Sequence, residues 1–198
     1  MKRNTVPLKA IVELVYHRVA TCAMLGEAGY DEAPVRTQVV ALTRHFGDPA
    51  LDVGTGACAC MAVTLARQGI SVMAVDGASS AVRMAQERAT GKLAKRLKVR
   101  HADAARLPFP DGSYRAVVAF DALCHTADPV AVLAEMFRVC DDGGAVIITE
   151  LNTAGREVTR HRDGGFEKKL PGLLTRHCAS CEKIEHRHHV TFVCEKER

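Results

Sequence analysis

Tryptophan is absent from this chain of 198 residues, and aromatic residues together make up only 5% of it. Proteins that bind single-stranded nucleic acid stack the bases on aromatic side chains, so this composition offers few stacking platforms. The formal net charge of +4 is also too small to indicate a nucleic-acid surface. We expect the basic run from Lys92 to Arg100 to be a solvated helix and loop, and nucleic acid not to be a partner.

The sequence also lacks an apolar run long enough to cross a membrane. The N-terminal segment is apolar in part, but Glu13, His17 and Arg18 interrupt it. That pattern predicts an amphipathic helix from about Leu8 to Leu25, and it does not match a signal peptide. We therefore predict a cytoplasmic protein without a membrane partner.

The sequence has eight cysteines but lacks a second C-x-x-C pair to accompany the one at Cys178 and Cys181. In a cytoplasmic chain we expect them to be reduced thiols, often buried as small apolar residues. Cys178-x-x-Cys181 is followed by His186, His188 and His189, a composition that suggests zinc. If Cys181 to His189 is one strand, however, alternation divides these side chains between two faces. The prediction is that no metal is bound.

What the sequence does contain is a regular alternation of strand and helix patterns from Ala50 onward. This alternation predicts βαβ units and a parallel sheet with helices on both faces. The last two apolar segments leave little room for a helix between them, which predicts an antiparallel hairpin. The fold class is therefore α/β, a Rossmann-like sheet of seven mostly parallel strands that ends in an antiparallel C-terminal hairpin.

We expect one domain over residues 1–198, with a helical cap at 1–47 and the Rossmann-like core at 48–198. A second helix is predicted from Pro34 to about Phe46. Ser79 or Ser80 is predicted to cap a later helix. The polar segment 152–165, after the fifth strand, is expected to be an irregular loop.

A glycine turn follows the first predicted strand, in the stretch ALDVGTGACACMAVTLA that begins at Ala50. Gly54 and Gly56 allow positive φ and a close approach of the backbone to a ligand at the carboxyl end of the strand. Asp76 lies at the end of the second strand, where it can accept hydrogen bonds from ribose hydroxyls. This arrangement suits both a nicotinamide dinucleotide and S-adenosylmethionine.

Two carboxylates favour the second of these cofactors. Asp52 precedes the glycines, where it suits a cationic ligand and opposes a pyrophosphate. Asp103, at the end of the third strand, can accept a hydrogen bond from an adenine amino group. The predicted C-terminal hairpin also differs from the second βαβαβ half that a dinucleotide-binding domain needs.

Four stretches carry a family resemblance: LDVGTGACA, VMAVDGASSAVRMAQERA, ADAARLPFPDGSYRAVVAFDALCHTADP and VLAEMFRVCDDGGAVIITE. From Leu51 to Glu150 the chain resembles class I S-adenosylmethionine-dependent methyltransferases, in the subgroup of the ubiquinone and menaquinone biosynthesis enzymes. The family usually has D-x-G-x-G-x-G, and here Cys58 replaces the third glycine. The resemblance implies that S-adenosylmethionine is bound by Asp52, Gly54 and Gly56 (methionine part), Asp76 and Gly77 (ribose), Asp103 and Ala104 (adenine), and Phe120 nearby.

Methyl transfer from a sulfonium is an in-line displacement that depends mainly on alignment, with a base for weak nucleophiles. We predict a small-molecule methyl acceptor, with His125 as a candidate base. Tyr16, Glu150 and Asn152 are candidates for orienting the substrate. Because the cap is small, a second subunit of a homodimer is an alternative way to complete the site. Two other functions stay open, a non-catalytic cofactor-binding subunit and an NAD-dependent oxidoreductase.

Overall fold

The computed structural model describes residues 30–178 and 180–197, which form a mixed α/β fold around one sheet. The sheet has seven strands in the order β3-β2-β1-β4-β5-β7-β6. The strands are β1 (Ala50–Val53), β2 (Val72–Asp76), β3 (Leu97–His101), β4 (Tyr114–Phe120), β5 (Cys140–Leu151), β6 (Glu182–Glu185) and β7 (His189–Glu195).

The strand directions confirm the predicted fold class. Strands β1 to β5 pair in parallel, whereas β7 runs antiparallel to both β5 and β6. The strand order reverses between β1 and β4, so the carboxyl ends of these two strands frame a crevice. The helices are α1 (Ala33–Phe46), α2 (Cys60–Arg67), α3 (Ser79–Gln86), α4 (Pro129–Val139), α5 (Thr153–Thr159) and α6 (Leu170–Leu174).

Apolar side chains on both faces of the sheet explain why helices cover both sides. In β1, Leu51 and Val53 join one buried cluster, whereas Ala50 joins the cluster on the other face. Val39 of α1 packs into the same cluster as Ala50. This alternation follows from the period of two along a strand, and it holds β1 rigidly at the centre of the crevice.

Helix α1 confirms the predicted second helix, with Pro34 in its first turn. The predicted capping of α3 is wrong, because α3 begins after Ala78 and no side chain caps it. Asp76 Oδ1 instead accepts from Ala78 N at 2.9 Å, so a residue of β2 already satisfies the backbone where the helix begins.

The segment after β5 is not the irregular loop that its composition suggested. It contains α5, whose N-cap is Asn152, with Oδ1 accepting from Gly155 N at 2.9 Å. The amide group of Asn152 also donates to the carbonyl oxygens of His186 and His189, at 2.8 and 3.2 Å. One side chain thus starts the helix and ties it to the C-terminal hairpin.

The C-terminal hairpin differs from the sequence interpretation in two respects. The segment from Cys181 to His189 is not one strand, because the chain turns between β6 and β7. Cys181 and Cys194 form a disulfide, so the expectation of reduced thiols is wrong for this pair. The pairing of Glu182 with Val193 in the antiparallel register brings the two cysteines opposite each other.

Some predictions lie outside the described residues. These are the predicted first helix, from Leu8 to Leu25, and the substrate role of Tyr16 on it. The division into a cap at 1–47 and a core at 48–198 therefore stays a prediction. Within the part of the chain that the structure describes, no helix is both long and apolar enough to cross a membrane.

Candidate functional site

The glycine turn between β1 and α2 requires both of its first two glycines. Gly54 has φ of 76° and Gly56 has φ of 64°, a region that side chains disfavour. A Cβ atom on Gly54 would also lie 2.6 Å from the Cβ of Ala122. Gly54 thus packs directly against Ala122, with no room for a side chain between them.

Cys58, which replaces the third glycine of the family pattern, is compatible with the turn. Among the described residues other than glycine, positive φ occurs at Ala59, Asp121 and Arg160. The left-handed position therefore lies one residue later, at Ala59, with φ of 45°. The thiol of Cys58 interacts with that of Cys60 beside the turn.

Asp76 holds the glycine turn against β2. Its Oδ2 accepts from Gly56 N and its Oδ1 accepts from Ala78 N, each at 2.9 Å. Each carboxylate oxygen retains a further lone pair for an external donor. Asp76 therefore both fixes the turn and presents an acceptor to the crevice.

A first cleft of about 480 Å³ opens beside this carboxylate, between the ends of β1, β2, β3 and β4. This volume lies in the range usual for small-molecule sites. Asp103 is exposed at the end of β3, and its Oδ1 accepts from Ala105 N at 2.9 Å. Predicted residues that line this cleft are Gly54, Gly56, Asp76, Gly77, Asp103, Ala104 and His125.

A second cleft, of about 380 Å³, adjoins the first on the side of α1 and α2. Gly54 and Asp121 line both clefts, so the two spaces meet at the ends of β1 and β4. Asp52 and Phe120 also line the second cleft. A ligand that extends across the glycine turn would occupy both.

Asp52 is the most unusual carboxylate of the second cleft. Burial raises its pKa to about 7, an effect that interaction with Thr55 partly offsets. Its Oδ2 is buried and accepts no hydrogen bond. A cationic group in this cleft would stabilise the ionised form, because a nearby opposite charge favours a carboxylate.

Asp121, Tyr30 and His189 form a polar network that the sequence interpretation missed. His189 Nε2 lies 3.2 Å from Asp121 Oδ2 and 3.2 Å from the hydroxyl of Tyr30. Tyr30 also donates to Glu32 Oε1 at 3.0 Å. His189 is fully buried, and the ring of Phe120 lies 5.3 Å from its ring. Asp121 thus projects into both clefts with a buried histidine behind it.

Asp121 carried a weak signal in the sequence, its place directly after β4. Its φ of 48° is uncommon for a residue other than glycine, and its Oδ1 is buried without a hydrogen bond. His189 was considered only as a metal ligand, and Tyr30 was not considered. Their proximity depends on the pairing of β5 with β7, which local patterns do not show.

Glu150 and Asn152 lie away from both clefts. Glu150 is fully buried and its Oε1 accepts from Leu123 N at 2.9 Å, beneath the turn after β4. Burial, and then the charge of Asp121, raise its pKa to about 8. The side-chain hydrogen bonds of Asn152 described above are all made to other residues of the protein. Their predicted substrate roles stay predictions, and the structure offers each a structural role.

His125 lies in the one-turn 3-10 helix Leu123–His125 and lines the first cleft. Its ring contacts that of His161, with centroids 4.9 Å apart. It is not among the residues that line the second cleft. The predicted role of His125 as a base stays untested.

The Rossmann-like methyltransferases share three features with this structure. These are a mostly parallel sheet with an antiparallel β7, a glycine turn after β1, and acidic residues at the ends of β1, β2 and β3. Residues 51–148 match the family model described as a methyltransferase domain. The chain belongs to the class I S-adenosylmethionine-dependent methyltransferases, and S-adenosylmethionine is the cofactor of that class.

Similar curated proteins are demethylmenaquinone methyltransferases. That of Mycobacterium sp. (strain JLS) is 30% identical over 153 residues, which are 77% of this chain and 63% of the relative. That of Beutenbergia cavernae is 33% identical over 125 residues, 63% of this chain and 50% of the relative. The chain thus spans between half and two thirds of the length of these relatives.

Solved structures confirm the fold. A putative S-adenosyl-L-methionine-dependent methyltransferase from Methanococcus maripaludis aligns with a TM-score of 0.66 at 17% identity, covering 100% of this chain and 98% of that one. Phosphoethanolamine N-methyltransferase 2 of Haemonchus contortus, in complex with S-adenosyl-L-methionine, aligns with a TM-score of 0.63 at 16% identity. The alignment covers 82% of this chain and 53% of that one. At these identities the likeness concerns the fold alone.

Proposed function

We propose that this chain transfers a methyl group from S-adenosylmethionine to a small-molecule acceptor whose nucleophilic atom loses a proton. The observation that carries the proposal is the position of Asp121, which lines both clefts and is hydrogen-bonded to buried His189. A carboxylate at the point where the two clefts meet, beside the proposed methionine part of the cofactor, is suited to general-base work.

The residues present fit the cofactor. Asp52 offers a buried, unpartnered oxygen toward a cationic group, and Gly54 and Gly56 present backbone without side chains to the first cleft. We assign Asp52, Gly54 and Gly56 to the methionine part and Phe120 to the wall beside it. Asp76 and Gly77 hold the ribose in this proposal, and Asp103 and Ala104 flank the adenine.

When bound, S-adenosylmethionine supplies an electrophilic methyl carbon on a positively charged sulfur. Asp52, Gly54 and Gly56 would hold the part of the cofactor that carries this carbon, and the sulfur would keep the bonding pair when the methyl group passes to the acceptor. Asp121 accepts the proton that the acceptor loses. His189 and Tyr30 are positioning residues. His189 Nε2 lies 3.2 Å from Asp121 Oδ2, and the Tyr30 hydroxyl lies 3.2 Å from the same nitrogen of His189. Neither residue lines either cleft.

The relatives suggest the class of acceptor. Demethylmenaquinone, which their names specify, is a quinone, and its reduced form carries acidic hydroxyl protons. We propose a quinol-type aromatic acceptor for this chain. The second cleft, with Phe120 and Met61 in its wall, offers apolar contacts for such a ring.

The test is a methyl-transfer assay with labelled S-adenosylmethionine and a reduced, short-chain demethylmenaquinone analogue. We expect Asp121→Asn to lower kcat by roughly 10² to 10⁴-fold, with little change in cofactor affinity. Asparagine tolerates the positive φ of this position, so the variant should fold. The exposed residue Glu157 provides the control variant Glu157→Gln, which should keep the wild-type rate.

Two results would overturn parts of this proposal. Wild-type kcat in Asp121→Asn would remove Asp121 from catalysis. Tight cofactor binding without methylation of any acceptor in a broad screen would favour the alternative of a non-catalytic cofactor-binding subunit. Tight binding of NAD, with none of S-adenosylmethionine, would favour an oxidoreductase.

The expected partners and location are further proposals. We infer a soluble cytoplasmic protein that acts on a small molecule and not on nucleic acid, and a homodimer is the assembly to test. Sedimentation at several protein concentrations measures the assembly, and salt-dependent retention on RNA tests for nucleic-acid binding.

A further inference from the structure

We propose that Cys124, His125 and His161 form a zinc-binding site at the rim of the first cleft. Each residue offers one ligand atom, and the three atoms lie within 4.8 Å of one another. Cys124 Sγ is 3.8 Å from His161 Nε2. The site joins two segments distant in sequence, the turn after β4 and the chain after α5.

The separations match tetrahedral coordination. Bonds of about 2.3 Å to sulfur and about 2.05 Å to nitrogen place a thiolate and an imidazole nitrogen about 3.6 Å apart around zinc. The separation between Cys124 and His161 is close to this value. Bringing His125 into the same sphere needs a movement on the order of 1 Å by a side chain that is exposed.

The charge around Cys124 favours a cation. Glu150, Asp121 and Asp163 all act on the thiol as nearby negative groups. Each of these carboxylates has one buried oxygen that accepts no hydrogen bond: Glu150 Oε2, Asp121 Oδ1 and Asp163 Oδ2. Buried carboxylate oxygens without donors are unfavourable, and a divalent cation beside them compensates that charge.

Two of these three carboxylates already have a basic side chain beside them. Asp163 forms an ion pair with Arg156 at 3.4 Å, and Asp121 Oδ2 has a hydrogen-bond contact with His189 Nε2 at 3.2 Å. Within residues 30–178 and 180–197, Glu150 forms no ion pair, although its side chain is fully buried. A cation bound at Cys124 would therefore be the partner that Glu150 lacks within the described residues.

The donor set selects the ion. One thiolate and two imidazoles suit zinc and disfavour magnesium and calcium, which prefer oxygen ligands. Three protein ligands leave one tetrahedral position for water. The bound ion would clamp the turn after β4 to the chain after α5, and so would hold one wall of the first cleft. The proposal stands apart from methyl transfer, because no step of that reaction uses it.

The experiment measures metal binding directly. The metal-free full chain is titrated with Zn²⁺ against a chromophoric chelator, and Co²⁺ reports the ligands through its thiolate charge-transfer band. We expect one ion per chain. Cys124→Ser should abolish the charge-transfer band, and His161→Ala should weaken zinc binding by roughly 100-fold or more.

Two control variants separate this site from other metal-binding groups. Cys178, Cys181 and Cys194 also place their sulfur atoms within 4.8 Å, although two of them form the disulfide. Cys178→Ser and His45→Ala should therefore bind zinc like the wild type. Loss of zinc in Cys178→Ser, with retention in Cys124→Ser, would overturn the proposal in favour of the C-terminal sulfurs.

A second measurement needs no variant. Stoichiometric zinc should protect Cys124 from alkylation by iodoacetamide by at least tenfold, as mass spectrometry of the modified peptide shows. Equal alkylation of Cys124 with and without zinc would contradict the site, even if the variants fail to fold.

Discussion

The buried carboxyl of Asp52, in the second cleft, should make the stability of the protein depend on pH. Its pKa is raised from 3.8 to about 7 by burial, so the folded protein holds this proton at pH values where the unfolded chain has released it. Stability from this group is therefore greatest below about pH 4 and falls as the pH rises toward 7. The shift corresponds to a loss on the order of 4 kcal/mol.

Asp52→Asn should remove this slope. We expect urea unfolding to show that the variant gains stability over the wild type when the pH is raised from 5 to 8. Glu157→Gln, at an exposed position, should follow the wild type at both values. Parallel pH profiles for Asp52→Asn and the wild type would show that burial does not hold the proton on Asp52.

Binding of the cofactor should release the proton from Asp52. A cationic ligand favours ionised Asp52, so its affinity should rise by up to about tenfold per pH unit below pH 7 and level off above it. Calorimetry at pH 6 in buffers of different ionisation enthalpy should detect release of a proton. Affinity that does not change between pH 5.5 and 7 would place the positive charge of the ligand away from Asp52.

At the scale of elements, the turn between β1 and α2 depends on Gly54. Gly54→Ala would place a Cβ 2.6 Å from the Cβ of Ala122 at a φ of 76°, which we expect to cost roughly 1–3 kcal/mol of stability and to weaken cofactor binding. Gly172, in α6, is the matched control, because a Cβ there meets no atom within 4 Å. Equal cofactor affinity in Gly54→Ala and Gly172→Ala would refute this account of the turn.

The start of α5 provides a second test at this scale. Asn152→Ala removes the cap and the donors to the hairpin, and we expect a loss of about 0.5–2 kcal/mol from the cap alone. Asn152→Asp keeps the capping oxygen and loses the donors, so it should be intermediate in thermal unfolding. If the KM for the acceptor rises while stability is unchanged, Asn152 orients the substrate as the sequence suggested.

At the scale of the whole molecule, the sheet and the grouping of the proposed cofactor residues at its carboxyl edge could be predicted from local patterns. Alternation of strand and helix signals indicated the strands, and Asp52, Gly54 and Asp76 lie at or next to strand ends that a parallel sheet brings together. The helix α5 was missed because its segment is polar and its cap, Asn152, was interpreted as a ligand-facing residue.

The polar network and the proposed zinc site could not be predicted in this way. Tyr30, Asp121 and His189 come from three distant parts of the chain. Cys124 and His161 are 37 residues apart and have no motif spacing. Their proximity can be recognised only when the strand order is known, whereas the metal motif that the spacing offered, Cys178-x-x-Cys181, lies in the C-terminal part of the chain.

The most direct test of the central claim is calorimetric titration of S-adenosylmethionine into the wild type, Asp76→Ala and the exposed control Asp111→Ala. Asp76 accepts from Gly56 N and, in the proposed site, from the ribose of the cofactor, so we expect one equivalent to bind the wild type and Asp111→Ala alike. Asp76→Ala should bind at least about tenfold more weakly. No binding to the wild type, or equal affinity in all three proteins, would contradict the account.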